Sequence, residues 1–147
     1  MGLTVSIENF SNLAWARNNW HVGAGKSDDV NWTDEVTQVP AEHIEAHDGA
    51  TTAAASSEHL SWLVEDALWI TVGYGSSEGD FAVNLEQYFH LFGIGGQCGW
   101  DVWEGSSWRG STTRAEPYTW HFASCRVLAV PTLSDSGASV NVTIADT

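Results

Sequence analysis

Residues 3–9 alternate strictly, with Leu3, Val5 and Ile7 on one face and Thr4, Ser6 and Glu8 on the other. Period two with β-branched residues predicts a half-buried strand. Residues 13–22 continue with Leu13, Trp15 and Trp20 among small and polar residues, and Gly23 to Asp29 reads as a loop. Val36 and Val39-Pro40 lead to a short segment around Ile44, and Asp48-Gly49 marks a turn. Residues 57–66 fit two periods. Leu60, Leu63 and Val64 have helical spacing behind a Ser cap, whereas Leu60, Trp62 and Val64 alternate like a strand. Leu68 to Tyr74 is a clearer strand, Gly75 to Gly79 a turn, and Phe81, Val83 and Leu85 alternate again. Asn84 followed by Gln87 is also compatible with a capped short helix ending at Gly93. Residues 100–122 hold strands broken by Gly105, Gly110 and Pro117. Two final strands, Arg126–Val130 and Ser139–Ile144, flank the turn Ser134-Asp135-Ser136-Gly137.

Nine or ten short strands with turn signals every 8–12 residues predict an all-β, single-domain antiparallel β-sandwich over 1–147, with room for one short helix. The connections are too short for a string of βαβ crossovers. A chain of 147 residues suits one domain, and its 43% hydrophobic content is too high for disorder.

Charge removes whole classes of partner. Nineteen acidic residues face five basic ones, for a net charge of −14. Nucleic-acid binding needs clustered Lys and Arg to displace phosphate counterions, and anionic lipid needs the same. Membrane contact would have to run through neutral headgroups. No apolar window is long enough for a spanning helix, and the opening residues lack the regions of a signal peptide. The expectation is a soluble protein, stored in the cytoplasm or released by a non-classical route, that acts at target membranes. The Met1-Gly2 start with Ser6 fits a myristoylation pattern, but residues 3–9 read as a strand the fold would bury. Cys98 and Cys125 either pair or stay free, and the missing export signal favours free thiols. Sequons stand at Asn9, Asn31 and Asn141.

Enzyme signals are weak, and a non-enzyme without cofactor or metal is expected. His43 and His47 stand four apart, but Glu45 lies between them rather than beside the first His, and Pro40 weakens a helix there. No Gly-x-Ser-x-Gly elbow occurs, and Gly93-Ile94-Gly95-Gly96 lacks the Lys of a phosphate loop.

The unusual feature is aromatic. The chain has nine Trp. Trp100, Trp103, Trp108 and Trp120 cluster in sequence, joined by Tyr118, Phe122, Tyr88, Phe89 and Phe92. A buried indole N–H needs a partner, so a surplus of Trp predicts that some rings face outward. Exposed rings anchor at a lipid–water interface, stack on sugars, or cage a quaternary ammonium. The candidate ligand site is Tyr88, Phe89, Phe92, Trp100, Asp101, Trp103, Trp108, Tyr118 and Trp120. Choline would sit on ring faces at about 0.5–2 kcal/mol per contact, with Asp101 or Glu104 nearby. In a lectin, the alternative, the same rings would stack on sugar while Asp101, Asn84 or Arg109 supply hydrogen bonds.

The opening Val5-Ser6-Ile7-Glu8-Asn9-Phe10-Ser11-Asn12-Leu13 resembles the first strands of small membrane-active β-sandwich proteins, the aegerolysins and actinoporins. The ending Leu133-Ser134-Asp135-Ser136-Gly137-Ala138-Ser139-Val140-Asn141-Val142-Thr143-Ile144 resembles their last hairpin. Fungal fruit-body lectins share that sandwich and bind sugars. The resemblance implies a lipid-recognising, cytolysin-like toxin or toxin component for choline- or sphingolipid-type headgroups. It places the phosphocholine site in the middle of the chain, around Tyr88, Phe89, Phe92 and Trp100 to Trp108. An N-terminal amphipathic helix and an Arg-Gly-Asp triplet are both missing, so pore formation is expected to need a larger protein partner or homo-oligomerisation.

Overall fold

The computed structural model describes residues 2–24, 36–56, 66–89 and 96–147. Those residues form eleven strands and no helix. They are β1 (Gly2–Asn9), β2 (Trp15–Ala24), β3 (Val36–Gln38), β4 (His43–Ile44), β5 (Gly49–Ser56), β6 (Asp66–Ser76), β7 (Gly79–Phe89), β8 (Gly96–Val102), β9 (Tyr118–His121), β10 (Cys125–Leu133) and β11 (Gly137–Asp146). One sheet has the order β3-β5-β1-β11-β10-β9 and the other β4-β2-β6-β7-β8. Their inner faces share one apolar core, which makes the molecule a β-sandwich.

The period-two segments become strands as expected. Leu3, Val5 and Ile7 of β1 are buried, and Val127, Ala129, Val140, Val142 and Ile144 do the same in β10 and β11. Pairing is antiparallel except between β1 and β11, which run parallel from Gly2↔Gly137 to Asn9↔Ile144. The short helix considered at 84–93 does not form over its described part. Leu85 is buried, Asn84 pairs with Thr71 and Asp101, and the Thr71 hydroxyl donates to Asn84 Oδ1 at 2.8 Å. Two flanking strands outweigh a local cap. Of the ambiguous segment 57–66, only Asp66, the first residue of β6, lies within the described residues.

Much of the tryptophan surplus is core. Trp15 packs edge-on against Phe81 at 5.2 Å and Phe122 at 5.7 Å, and Trp120 meets Phe81 at 5.6 Å and Tyr118 at 4.8 Å. Buried polar groups are mostly satisfied. Asn9 donates to the Leu13 and Glu45 carbonyls and accepts from the Ser11 backbone and hydroxyl. The Asn9 sequon is therefore structural, because its amide is fully buried, whereas Asn141 is exposed. The Gln87 amide and the Trp15 indole N–H find no partner among the described residues, each a desolvation cost of about 1–3 kcal/mol. Cys98 and Cys125 are free and buried, and burial pushes both thiols up. Glu78, in the β6–β7 turn, accepts from the Ser124 hydroxyl at 2.5 Å and backbone N–H at 2.8 Å, which ties one sheet to the other and holds its carboxyl below its usual range. Among the described residues, no helix is long and apolar enough to cross a membrane.

Candidate functional site

Residues 103–117, between β8 and β9, fold back along β8 as an arm. Trp103 and Trp108 bridge each other around a turn closed by Glu104 N–H to the Ser107 carbonyl at 2.9 Å. Arg109 N–H donates to the Val102 carbonyl, and Trp100 and Thr112 exchange two backbone hydrogen bonds of 2.9 and 3.0 Å. The arm thus covers an edge that would otherwise present unpaired backbone groups. Gly105 and Gly110 take φ of +101° and +114°, a conformation that favours glycine.

Three sequence-predicted residues hold this arm in place. Trp100 is fully buried, and its indole donates to the Arg114 carbonyl at 3.0 Å. Trp120 is 6% exposed and donates to the Trp103 carbonyl at 2.6 Å. Asp101 Oδ1 accepts from the backbone N–H of Val102 at 2.8 Å and of Gly110 at 3.0 Å. Arg109 already occupies the cation position over the rings, 5.0 Å from Trp100 and 5.9 Å from Tyr118. Trp103 and Trp108 are half-buried against each other at 5.7 Å, and Tyr118 is half-buried. Phe89 ends β7, and Phe92 lies outside the described residues.

Burial raises the Asp101 carboxyl above its ordinary range, against the two N–H donors and Arg109, with Glu86 adding to the rise. A raised folded value stabilises below the unfolded value and is lost as pH climbs through the folded one. At neutral pH the charged form is therefore a net cost, although its oxygen is needed. Asp101→Asn, which keeps the acceptor, is expected to match or exceed wild-type stability in urea unfolding at neutral pH. Asp101→Ala is expected to lose about 1–3 kcal/mol, since it strands two N–H groups.

On the outer face of the five-stranded sheet, Tyr88 and Gln97 are exposed and Trp69, Asn84 and Glu86 are half-buried. Strand register sorts the side chains of this face into rows. Gly23, Trp69, Glu86 and Gly99 form one row. His21, Thr71, Asn84 and Asp101 form the next, and Ala67, Tyr88 and Gln97 flank the first on its other side. A Cβ on Gly23 would fall 2.1 Å from the Trp69 ring, so the indole lies directly across that glycine. Tyr88 is 41% exposed. On the face, Trp69 and Tyr88 are diagonal neighbours, a relation that spans roughly 7–8 Å. Tyr88 donates its hydroxyl to Glu86 Oε2 at 2.7 Å, and the Ser111 hydroxyl donates to Glu86 Oε1. Glu86, Tyr88, Gln97, Gly99, Ser111, Thr112 and Thr113 line an open groove of about 340 Å³. Gly99 is its floor, where a Cβ would come within 2.9 Å of Ser111 Oγ.

Burial pushes the Tyr88 phenol up to about 12, helped by the hydrogen bond to Glu86 and its charge. The stabilising effect of the protonated phenol is present below the ordinary tyrosine value and fades as pH rises through about 12. In Glu86→Gln the charge contribution vanishes, while burial and an acceptor oxygen remain, so the Tyr88 value is expected to fall only part of the way toward 10, the ordinary tyrosine value. Ring-carbon NMR of labelled tyrosine resolves that titration from Tyr74 and Tyr118.

Among the described residues, no group of three or more His, Cys, Asp or Glu is placed to hold a metal ion. His43 lies in two-residue β4 and His47 in a turn at φ 73°, so the two share no helix. Of the predicted ligand residues, Tyr88 lies on the groove, Asn84 and Asp101 lie in the neighbouring row, and Trp100 and Trp120 are structural. Sequence reasoning did not single out Trp69, Glu86, Gln97 or Ser111. The alternation of β7 carries a signal for Glu86, since it puts Asn84, Glu86 and Tyr88 on the face opposite Leu85 and Gln87. A scan against protein-family models and a search of curated proteins return no match for this chain.

Proposed function

We propose that the chain is a carbohydrate-binding β-sandwich, with its sugar site on the outer face of the five-stranded sheet. One observation carries this reading: the exposed Tyr88 borders a groove whose other walls are hydroxyl, amide and carboxylate groups. Sugars need that combination, since ring faces stack on their apolar C–H surface while polar groups read their hydroxyls. Glu86 fixes the Tyr88 phenol, so the platform is ordered before ligand arrives and less entropy is lost on binding.

The second reading is the lipid-recognising toxin component implied by the resemblance, acting at choline or sphingolipid headgroups with a larger partner. The half-buried Trp103–Trp108 pair favours it as an interfacial anchor. Two features weigh against it. The turn between these rings is Glu104-Gly105-Ser106-Ser107, which offers no apolar wedge. The rings of Trp100 and Tyr118 already hold a cation, Arg109.

A glycan array run beside liposome co-sedimentation on phosphatidylcholine and sphingomyelin separates the readings. Sugar binding without pelleting is expected. Pelleting with a blue-shifted Trp emission and no glycan signal would reverse the assignment.

A further inference from the structure

Within that sugar-binding reading, on which this inference rests, the groove carries an ionic feature that neutral sugars do not require. Glu86 stands opposite Trp69 in the register and accepts from Tyr88 and Ser111. A carboxylate has about four lone-pair positions, and these two donors take one on each oxygen. The remaining acceptor capacity lies in a groove bounded by the Tyr88 ring. A carboxylate beside an aromatic ring suits an ammonium group, which gains charge-assisted hydrogen bonds and cation–π attraction together.

Among the described residues, the other polar walls of the groove, Gln97, Ser111, Thr112 and Thr113, are neutral, and no Lys or Arg is among its lining. Of the arm's two arginines, Arg109 is engaged over Trp100 and Tyr118, and Arg114 follows Thr113 with its side chain exposed. The chain's net charge of −14 steers cations toward it and repels uronic and sulfated sugars. We propose that the ligand is an amine-bearing sugar, a glucosamine-type chain with free ammonium groups, and that Glu86 receives one of them.

The test is calorimetric titration with short glucosamine oligomers, the matching N-acetylated oligomers and cello-oligomers, in mildly acidic buffer that keeps the amines protonated. The free-amine oligomer is expected to bind about tenfold or more tightly than its acetylated twin, with an advantage that shrinks at high salt. Glu86→Gln is expected to erase that ratio. Its folding is checked by thermal unfolding, and Glu86→Asp provides a second variant that keeps the charge. A short oligolysine serves as the control for non-specific attraction to an acidic protein. If oligolysine competes equally and Glu86→Gln changes nothing, the ammonium site is overturned. Equal or tighter binding of the neutral oligomers also overturns it, while leaving the sugar site standing. No binding of any oligomer removes both.

Discussion

Trp100→Ala is expected to lose about 3–5 kcal/mol of stability, a fall in Tm of roughly 6–20 °C for a chain of this size. The side chain is fully exchanged for a cavity, because Trp100 is 0% exposed in the shared core. Its loss also strands the Arg114 carbonyl and removes the ring beneath Arg109. The arm over β8 is thus released along with the core contact. Trp100→Phe separates the two effects, since it keeps most of the buried ring and loses the N–H. It is expected to fall between wild type and alanine in thermal unfolding. A loss below about 1 kcal/mol in Trp100→Ala would mean that the arm is held elsewhere, since ordinary core truncations of large residues cost more.

The second large effect concerns binding. Tyr88→Ala is expected to weaken sugar affinity by about 2 kcal/mol or more, the scale of an aromatic hot spot, or roughly thirtyfold. Because Tyr88 is 41% exposed and outside the core, its Tm is expected to stay near wild type. Trp69→Ala is expected to lose stability but little affinity, because its indole covers Gly23 on the side of β6 away from the groove. Gly23→Ala reaches the same ring without removing it, since the new methyl must displace the indole. Its affinity is likewise expected to stay near wild type. Titration of an oligosaccharide bound by wild type, with each variant in turn, checks all three.

How far the sequence carries the fold depends on which periods compete. Alternation in 3–9, 81–85, 126–130 and 139–144 was enough for β1, β7, β10 and β11, because a buried inner face and a solvated outer face impose period two. The parallel pairing of β1 with β11 has no local signal, as it depends on the path of the whole chain between them. Asn84 reads as a helix cap only while Thr71 and Asp101 are absent from view. The same limit applies to the site. Clustered Trp in sequence pointed to residues 100–120, but a strand turns alternate residues inward, and Trp100 fills the core beside Leu85. The arm then uses Trp120, Asp101 and Arg109 for its own attachment. Glu86 is hidden in sequence between Leu85 and Gln87, both buried, and only sheet register and the arm set it beside Tyr88 and Ser111.

Amide chemical-shift mapping with the tightest-binding oligosaccharide locates the sugar site. Shifts are expected to concentrate at Glu86, Tyr88, Gln97 and residues 111–113, and to be lost in Tyr88→Ala. Shifts centred instead on Trp103 to Trp108 or on the six-stranded sheet, or no oligosaccharide that produces any, would contradict that placement.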